Sequence, residues 1–125
     1  MTLAIGQPAP AFTLKDQDRN EVSLSDFAGQ KAVALVFYPF SFTGVCEGEL
    51  CELRDDLGRY EAAGVQVLAV SCDSVPTQQQ WAAAQNWGFP VLSDFWPHGA
   101  VASAYGVFNE AVGGADRARF VIVKD

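Results

Sequence analysis

Residues 32–38, with the sequence AVALVFY, form an uninterrupted apolar and aromatic run that ends at Pro39. A run that is apolar at every position predicts a strand buried on both faces, as in a parallel sheet. A second such run, VQVLAV, occupies residues 65–70. Between them, leucines recur at helical spacing and predict a helix over residues 49–60, which Gly64 would terminate. Strand, helix and strand in this order indicate a parallel crossover unit.

The flanking segments extend this unit to an α/β domain. Short alternating runs at residues 12–14 and 22–24 predict a β-hairpin near the N-terminus. Further expected elements are a helix at 76–87 capped by Ser74, a strand at 91–93, a short helix at 99–105 and a strand at 119–123. We therefore expect a central mixed β-sheet flanked by helices, with an N-terminal hairpin.

The length of 125 residues suits one domain, so residues 1–125 are expected to form a single unit. The sequence stops directly after a strand of the central type. A sheet of this kind usually has a further strand and a covering helix, and we expect this C-terminal segment to be missing from residues 1–125.

The composition excludes several classes of function. The chain has 8 Lys and Arg against 15 Asp and Glu, a net charge of −7, and no basic run, which argues against binding to nucleic acids or anionic membranes. Its apolar runs are much shorter than the roughly 20 residues of a membrane span. The first ten residues lack the features of a secretory signal. Without an export signal, the protein is expected to be cytoplasmic. Its three cysteines are an odd number, and thiols in that compartment are expected to be catalytic, redox-active or metal-bound and not structural disulfides.

Cys46 is the strongest candidate for chemistry. It follows a buried strand and a loop, and it falls in the first turn of the next helix, where open α/β sheets bind ligands. The free N–H groups and dipole of a helix N-terminus stabilise a thiolate and lower the pKa of the thiol. Thr43 could place its hydroxyl beside the sulfur. The alternative is a cysteine that only packs in the core, with Thr43 as a plain helix cap.

The pattern Pro-x-x-x-Thr-x-x-Cys, formed by Pro39, Thr43 and Cys46, resembles the active-site signature of the peroxiredoxins. Other segments resembling this family are APAFTL at 9–14, LSD at 92–94, AYGV at 104–107 and RARFVI at 117–122. Three segments are similar to the alkyl hydroperoxide reductase E subgroup of actinobacteria: FTGVC at 42–46, GEL at 48–50 and SDFWPHGAV at 93–101.

This resemblance implies a thioredoxin fold and a thiol-dependent peroxidase that needs no metal or bound cofactor. The implied substrates are hydrogen peroxide and organic hydroperoxides, with peroxynitrite as a further candidate. Cys46 would be the peroxidatic nucleophile: its thiolate attacks one peroxide oxygen, water or an alcohol leaves, and a sulfenic acid remains. The resemblance is compatible with reduction by mycothiol with mycoredoxin or by thioredoxin, and with a homodimer.

Three glutamates follow Cys46 within six residues, and their charges oppose formation of a thiolate. A cation must therefore outweigh them. The resemblance assigns this role to Arg117, whose guanidinium could hold both thiolate and peroxide oxygens. Arg119 stands where the family usually carries a small hydroxyl residue, and strand alternation puts both arginines on one face, so periodicity does not separate them. The alternative for Arg117 is a surface ion pair.

Glu49 lies three residues after Cys46 and shares its helix face. It could orient Arg117 or accept a proton, or it could be an ordinary surface glutamate.

Cys51 follows Cys46 by five residues, the spacing at which the bacterioferritin-comigratory type of peroxiredoxin places its resolving cysteine. An intact helix separates the two Cα atoms by roughly 8–9 Å, whereas a disulfide tolerates at most about 7 Å. A Cys46–Cys51 disulfide would thus require the first helical turn to unwind. In the alternative, Cys51 is a core thiol and an external thiol resolves Cys46. Cys72 ends a buried strand and is expected to pack as a small hydrophobe.

Three alternative hypotheses assign the chain to other classes of protein. Cys46, Cys51, Cys72 and His98 could form a zinc site, although the first two point to different sides of one helix. A thioredoxin-like reductase would generally carry Cys-x-x-Cys, which this helix start lacks. A non-catalytic redox sensor is the third alternative. His98 alone is expected to be a structural hydrogen-bonding residue. Core packing or a dimer surface is expected for the aromatic residues Trp81, Trp87, Phe89, Phe95 and Trp96.

Overall fold

The computed structural model describes residues 6–42 and 44–123, excluding the side chains of residues 44–49. The described strands are β1 (Thr13–Lys15), β2 (Glu21–Ser23), β3 (Ala32–Phe37), β4 (Val65–Ser71), β5 (Val91–Ser93), β6 (Phe108–Asn109), β7 (Gly114–Ala115) and β8 (Ala118–Ile122). The helices are α1 (Gly44–Asp55), α2 (Leu57–Ala62), α3 (Val75–Gln85) and α4 (Ala100–Ala104), with a 3₁₀ turn at Leu24–Phe27. Six strands form one sheet in the order β2-β1-β5-β4-β3-β8, and β6 pairs with β7 separately.

The sheet is mixed, as the sequence predicts. Strands β3, β4 and β5 run parallel, β8 lies antiparallel to β3, and β1 pairs antiparallel with both β2 and β5. The predicted N-terminal hairpin is therefore confirmed, with its strands one residue away from the expected positions. None of the described helices is long and apolar enough to cross a membrane.

Strand β3 is buried on both faces, and its alternating side chains enter two separate cores. Ala34, Val36 and Tyr38 pack on one side with residues of α1 and α3, including Trp81. On the opposite side, the alternate residues of β3 pack with Phe12, Tyr105 and Phe120 among others. Because two hydrophobic layers cover it, β3 is fixed in position, and so is the point at which the chain leaves its carboxyl end.

The expected single helix at residues 49–60 is wrong. The helix begins earlier, at Gly44, and the chain breaks at Asp56 into α1 and α2. Asp56 has ψ of 8°, outside the helical value, and its carbonyl accepts hydrogen bonds from the N–H groups of Arg59 and Tyr60. A new turn therefore starts at Asp56, a residue type that favours helix starts over helix interiors. Gly64 ends α2 with a φ of +76°, as predicted.

Helix α3 begins as the sequence predicts. The Thr77 N–H donates to the Ser74 hydroxyl, so Ser74 caps the helix, and Pro76 lies in the first turn. The helix ends earlier than expected because Asn86 adopts a left-handed conformation with φ of 60°. The β6–β7 hairpin was not predicted from the sequence. Its strands have two residues each, too short for a periodic signal.

Candidate active site

The candidate site lies at the carboxyl end of β3. The Tyr38 N–H donates to the carbonyl of Val70 on β4 at 3.0 Å, which extends the pairing by one residue. Pro39 has no N–H to donate, so the pairing stops there. Residues 39–42 then lead towards α1, and Cys46 is the third residue of that helix. The backbone of Cys46 is therefore in the first turn, where free amide groups and the helix dipole favour an anion.

Two contacts fix the loop that precedes this helix. Ser41 donates both its backbone N–H and its hydroxyl to the carboxylate of Asp73, which follows β4. The Phe40 ring packs against Gly114 of the β6–β7 hairpin. Neither contact was anticipated from the sequence. The partners are far apart along the chain, and no local pattern links a serine with an aspartate 32 residues later.

Arg117 lies at the same end of the sheet as this loop. Ala118, the first residue of β8, is paired with Phe37, the last residue of β3, and Arg117 directly precedes it. Arg119 is paired with Val36, one step back into the sheet. Both arginines are exposed. Antiparallel pairing thus distinguishes two residues that strand alternation alone places on one face, because it puts Arg117 nearer the end of β3.

The other predicted site residues are described to different extents. Pro39 is half-buried directly beyond β3. The backbones of Cys46 and Glu49 lie within α1, but their side chains are not among the described parts of the structure. Thr43 lies outside the described residues altogether. The contacts of these three side chains with Arg117 therefore remain predictions from the sequence.

Cys51 is a free, half-buried thiol on α1, and it packs against the core that contains Trp81. Helix α1 is continuous from Gly44 to Asp55, so both Cys46 and Cys51 lie in unbroken helical backbone. Arg54 is one turn further on. It donates to the Gln85 carbonyl at 2.8 Å, and its guanidinium lies 5.6 Å from the centre of the Trp87 ring. No pattern in the sequence indicates these contacts of Arg54.

Cys72 is a free thiol that is only 3% exposed. Burial raises the pKa of this thiol to about 12, and the nearby carboxylates of Asp94 and Asp73 act in the same direction. The N–H of Ala115 hydrogen-bonds to Cys72 and partly offsets these effects on the pKa. Cys72 therefore remains a protonated thiol near neutral pH, which agrees with the packing role expected from the sequence.

The two nitrogens of His98 lie 3.1 Å from the carbonyl oxygen of Phe95 and 2.6 Å from that of Gly113. These contacts agree with a structural role in linking the loop after β5 to the β6–β7 hairpin.

Within the described part of the chain, no group of three or more His, Cys, Asp or Glu side chains is placed to share a metal ion. Three of the conspicuous aromatic residues are buried in the core, namely Trp81, Trp87 and Phe89. Phe95 and Trp96 are exposed instead.

Comparison with known proteins agrees with this architecture. Residues 5–125 match the AhpC/TSA family. The chain shares a fold with *Mycobacterium tuberculosis* peroxidoxin BcpB, with a TM-score of 0.89 and 31% identity over 96% of this chain and 79% of that one. For the crystal structure of *Enterococcus faecalis* AhpC, the TM-score is 0.87 and the identity 32%, over 99% and 76%. The chain therefore belongs to the AhpC/TSA family of peroxiredoxins, with a thioredoxin fold and thiol-dependent peroxidase activity.

Within this family, the sequence is 51% identical to alkyl hydroperoxide reductase E of *Mycobacterium tuberculosis*, over 96% of this chain and 78% of that protein. It is also 38% identical to peroxiredoxin Bcp of *Escherichia coli*, over 86% and 67%. The family resemblance inferred from the sequence is thus confirmed, as is the similarity to both types of peroxiredoxin.

Proposed function

We propose that Cys46 is the peroxidatic cysteine of this peroxidase and that it reduces hydrogen peroxide and organic hydroperoxides, with peroxynitrite as a further substrate. The observation that carries this proposal is the position of the Cys46 backbone, in the first turn of α1 beyond a buried strand. The Cys46 thiolate forms an S–O bond with one peroxide oxygen while the O–O bond breaks. The other oxygen leaves with the electron pair, takes up a proton and becomes water or an alcohol. Cys46 is left as a sulfenic acid.

Four residues assist this step in our proposal. The Arg117 guanidinium holds the thiolate and the peroxide oxygens, a role supported by its position beside the end of β3. Glu49 orients Arg117, and the Thr43 hydroxyl hydrogen-bonds to the sulfur or the peroxide. Pro39 ends the β3–β4 pairing and directs the chain into the loop. Arg117 must outweigh the acidic residues of α1 in a chain whose net charge is −7.

We further propose that Cys51 resolves the sulfenic acid. The Cys51 thiolate attacks the Cys46 sulfur, and the sulfenic oxygen leaves as hydroxide, which a proton converts to water. The choice of Cys51 is supported by its free thiol and by the raised pKa of Cys72, which disfavours that residue as a nucleophile. Because α1 is continuous, its first turn must unwind before this disulfide forms. In the alternative, an external low-molecular-weight thiol attacks Cys46 directly.

Reduction of the disulfide by thioredoxin, or by mycothiol with mycoredoxin, would complete the cycle. We also propose that residues 1–125 act as one domain in the cytoplasm and associate as a homodimer. Three large aromatic side chains support association, because Phe42, Phe95 and Trp96 are 59%, 50% and 82% exposed. Sedimentation analysis of the wild type would test the dimer.

The decisive experiment follows peroxide consumption with dithiothreitol as reductant in the Cys46→Ser variant. We expect activity to be abolished, and we expect the control Cys72→Ser to retain it. Mass spectrometry after one equivalent of peroxide would show whether wild-type Cys46 ends as a sulfenic acid or joined to Cys51. A Cys46→Ser variant that still turns over would refute the proposal.

A further inference from the structure

Asp73 connects the loop before α1 to the end of strand β4. Its Oδ2 atom accepts three hydrogen bonds: from the Ser41 N–H at 2.7 Å, the Ser41 hydroxyl at 2.8 Å and the Ser71 hydroxyl at 2.7 Å. Hydrogen bonds to an ionised oxygen at these lengths are among the strong ones in proteins. Two of the three come from Ser41, which belongs to the loop. A single carboxylate oxygen therefore holds this loop against the neighbouring strand.

The residues around this half-buried carboxylate are themselves buried. The Tyr38 hydroxyl lies 3.1 Å from the Ser41 hydroxyl, and Ser41 is 8% exposed. On the other side, the Gln78 amide donates to the Ser71 hydroxyl and to the Leu92 carbonyl. Burial raises the pKa of Tyr38, which stays a neutral phenol able to donate to Ser41. Ser41 is thus held by a connected polar network in a water-poor position.

The residue after Ser41 shows why the loop needs such an anchor. Phe42 has a φ of 67°, in the left-handed region that a phenylalanine rarely adopts. Its ring centre lies 6.1 Å from that of Trp81. Helix α1 starts two residues later, at Gly44. The anchored serine and the left-handed Phe42 together set the direction in which the chain enters the helix.

We propose that Asp73 is a positioning residue of the peroxidase: by holding Ser41, it fixes the start of α1 and thereby the backbone amides around Cys46. This inference rests on the proposed role of Cys46. Asp73 acts through the loop and does not touch the peroxide. Ser41 shares this positioning role, because it is the loop residue that Asp73 holds. Ser71 donates to the same Asp73 oxygen, but it lies in β4 and not in the loop.

Positioning and simple electrostatics predict opposite effects of Asp73→Asn. Removing a negative charge from the end of the sheet at which α1 begins would by itself favour the Cys46 thiolate and speed its oxidation. Loss of positioning misaligns the amides that stabilise the thiolate and slows oxidation. Ser41→Ala changes no charge, so under the positioning role it acts in the same direction as Asp73→Asn.

The experiment measures the second-order rate of oxidation by hydrogen peroxide and the pH dependence of Cys46 alkylation. We expect Ser41→Ala and Asp73→Asn each to slow oxidation by about tenfold, equivalent to about 1.4 kcal/mol of activation free energy. Both variants should shift the midpoint of Cys46 alkylation to higher pH. Because the two residues act as a unit, the double variant should be no slower than the slower single variant.

Ser71→Ala is the control, because it removes a bond of similar length to the same oxygen while Ser41 keeps both of its bonds to Asp73. It also removes the acceptor of the Gln78 amide and of the Asp73 N–H, so it is at least as severe a test of the network outside the loop. We expect it to lower the urea midpoint as Ser41→Ala does, while its oxidation rate stays within about twofold of wild type. If Asp73→Asn does not fold, the oxidation rate of Ser41→Ala tests the positioning role instead. This variant keeps the hydrogen bond from the backbone N–H of residue 41 to Asp73. Equal slowing by Ser71→Ala and Ser41→Ala, or faster oxidation of Asp73→Asn, would overturn the positioning role.

The result for Cys46→Ser separates the two proposals. If that variant is inactive while Ser41→Ala and Asp73→Asn react at the wild-type rate with unshifted pH profiles, only the positioning role is wrong. If Cys46→Ser still consumes peroxide, the proposed function fails, and the role of Asp73 fails with it.

Discussion

The ring of Phe40 lies so close to the backbone of Gly114 that a Cβ atom at Gly114 would stand 2.6 Å from the Phe40 Cζ atom. Phe40 belongs to the loop before α1, and Gly114 begins β7, three residues before Arg117. This contact joins the loop that leads to Cys46 with the segment that leads to Arg117. Glycine is required at position 114 by the close approach of the ring, because any side chain would displace Phe40.

Gly114→Ala should therefore disturb the loop as well as the fold. The added methyl group must push the Phe40 ring aside, and overpacking of this kind typically costs about 1–3 kcal/mol. We expect a lower free energy of unfolding in urea and slower oxidation by peroxide in stopped-flow measurements.

Gly58→Ala is the control for this substitution. Gly58 lies in α2, and a Cβ atom there would meet nothing within 4 Å. Alanine is the better helix former by roughly 0.5–1 kcal/mol, so this variant should be as stable as the wild type or more so. If Gly114→Ala changed neither the stability nor the oxidation rate, the Phe40 ring would be able to move aside without cost.

The central part of the fold follows from the sequence because hydrophobic burial determines it. The run at residues 32–38 predicts β3 to within one residue, and the run at 65–70 predicts β4 equally closely. The start of α3 follows from a local cap, in which Ser74 needs only its neighbours. Burial on both faces and side-chain capping are local signals, and a sequence displays them directly.

Other features are invisible in the sequence for physical reasons. Leucines at positions 50, 53 and 57 keep helical spacing across Asp56, so hydrophobic periodicity gives no sign that the backbone breaks there. The two hydrogen bonds from Ser41 to Asp73 depend on β3 and β4 lying side by side, and only the tertiary pairing of these strands creates that arrangement. Arg117 is distinguished from Arg119 only by the register of β8 on β3. Candidate residues can thus be read from the sequence, but their mutual placement cannot.

That register leads to a comparison of the two arginines. Arg117→Ala should slow the oxidation of Cys46 by about 100-fold, because loss of a charged hydrogen-bonding partner costs about 1.5–3 kcal/mol. Arg119→Ala should stay within a few-fold of wild type, since Arg119 lies opposite Val36 inside the strand. The measurement is the second-order rate constant with hydrogen peroxide, supported by urea unfolding. The reverse order of effects would place Arg119 at the site.

The raised pKa of Cys72 predicts a pH-dependent stability. The folded state keeps the thiol protonated up to about pH 12, whereas in the unfolded chain it ionises near 9.0. The unfolded state therefore loses a proton first as the pH rises, and the stabilisation present below pH 9 is lost between these values. Urea unfolding of the wild type should show this decline, and Cys72→Ala should show a shallower one. If stability declined equally steeply with pH in the wild type and in Cys72→Ala, the Cys72 thiol would not contribute to the pH dependence.

Alkylation gives an independent measure of the same thiol. At pH 8, iodoacetamide should leave Cys72 unmodified in the folded protein, because the thiol is protonated and only 3% exposed. Unfolding in urea should make it reactive. Peptide mapping by mass spectrometry distinguishes Cys72 from the other two cysteines, and rapid labelling of native Cys72 would contradict the predicted burial and protonation.

The resolving role of Cys51 can be separated from the first chemical step. Cys51→Ser should leave the oxidation of Cys46 at the wild-type rate, because Cys51 lies more than a full helical turn further along α1. Turnover with a thioredoxin system should fall by at least about tenfold, since the sulfenic acid would then await an external thiol. Repeated peroxide additions should also drive Cys46 to sulfinic acid, which mass spectrometry detects. The control Cys72→Ser removes a different free thiol, and it should be recycled at the wild-type rate. If Cys51→Ser recycled as fast as wild type, Cys51 would serve packing alone, and an external thiol would be the resolving agent.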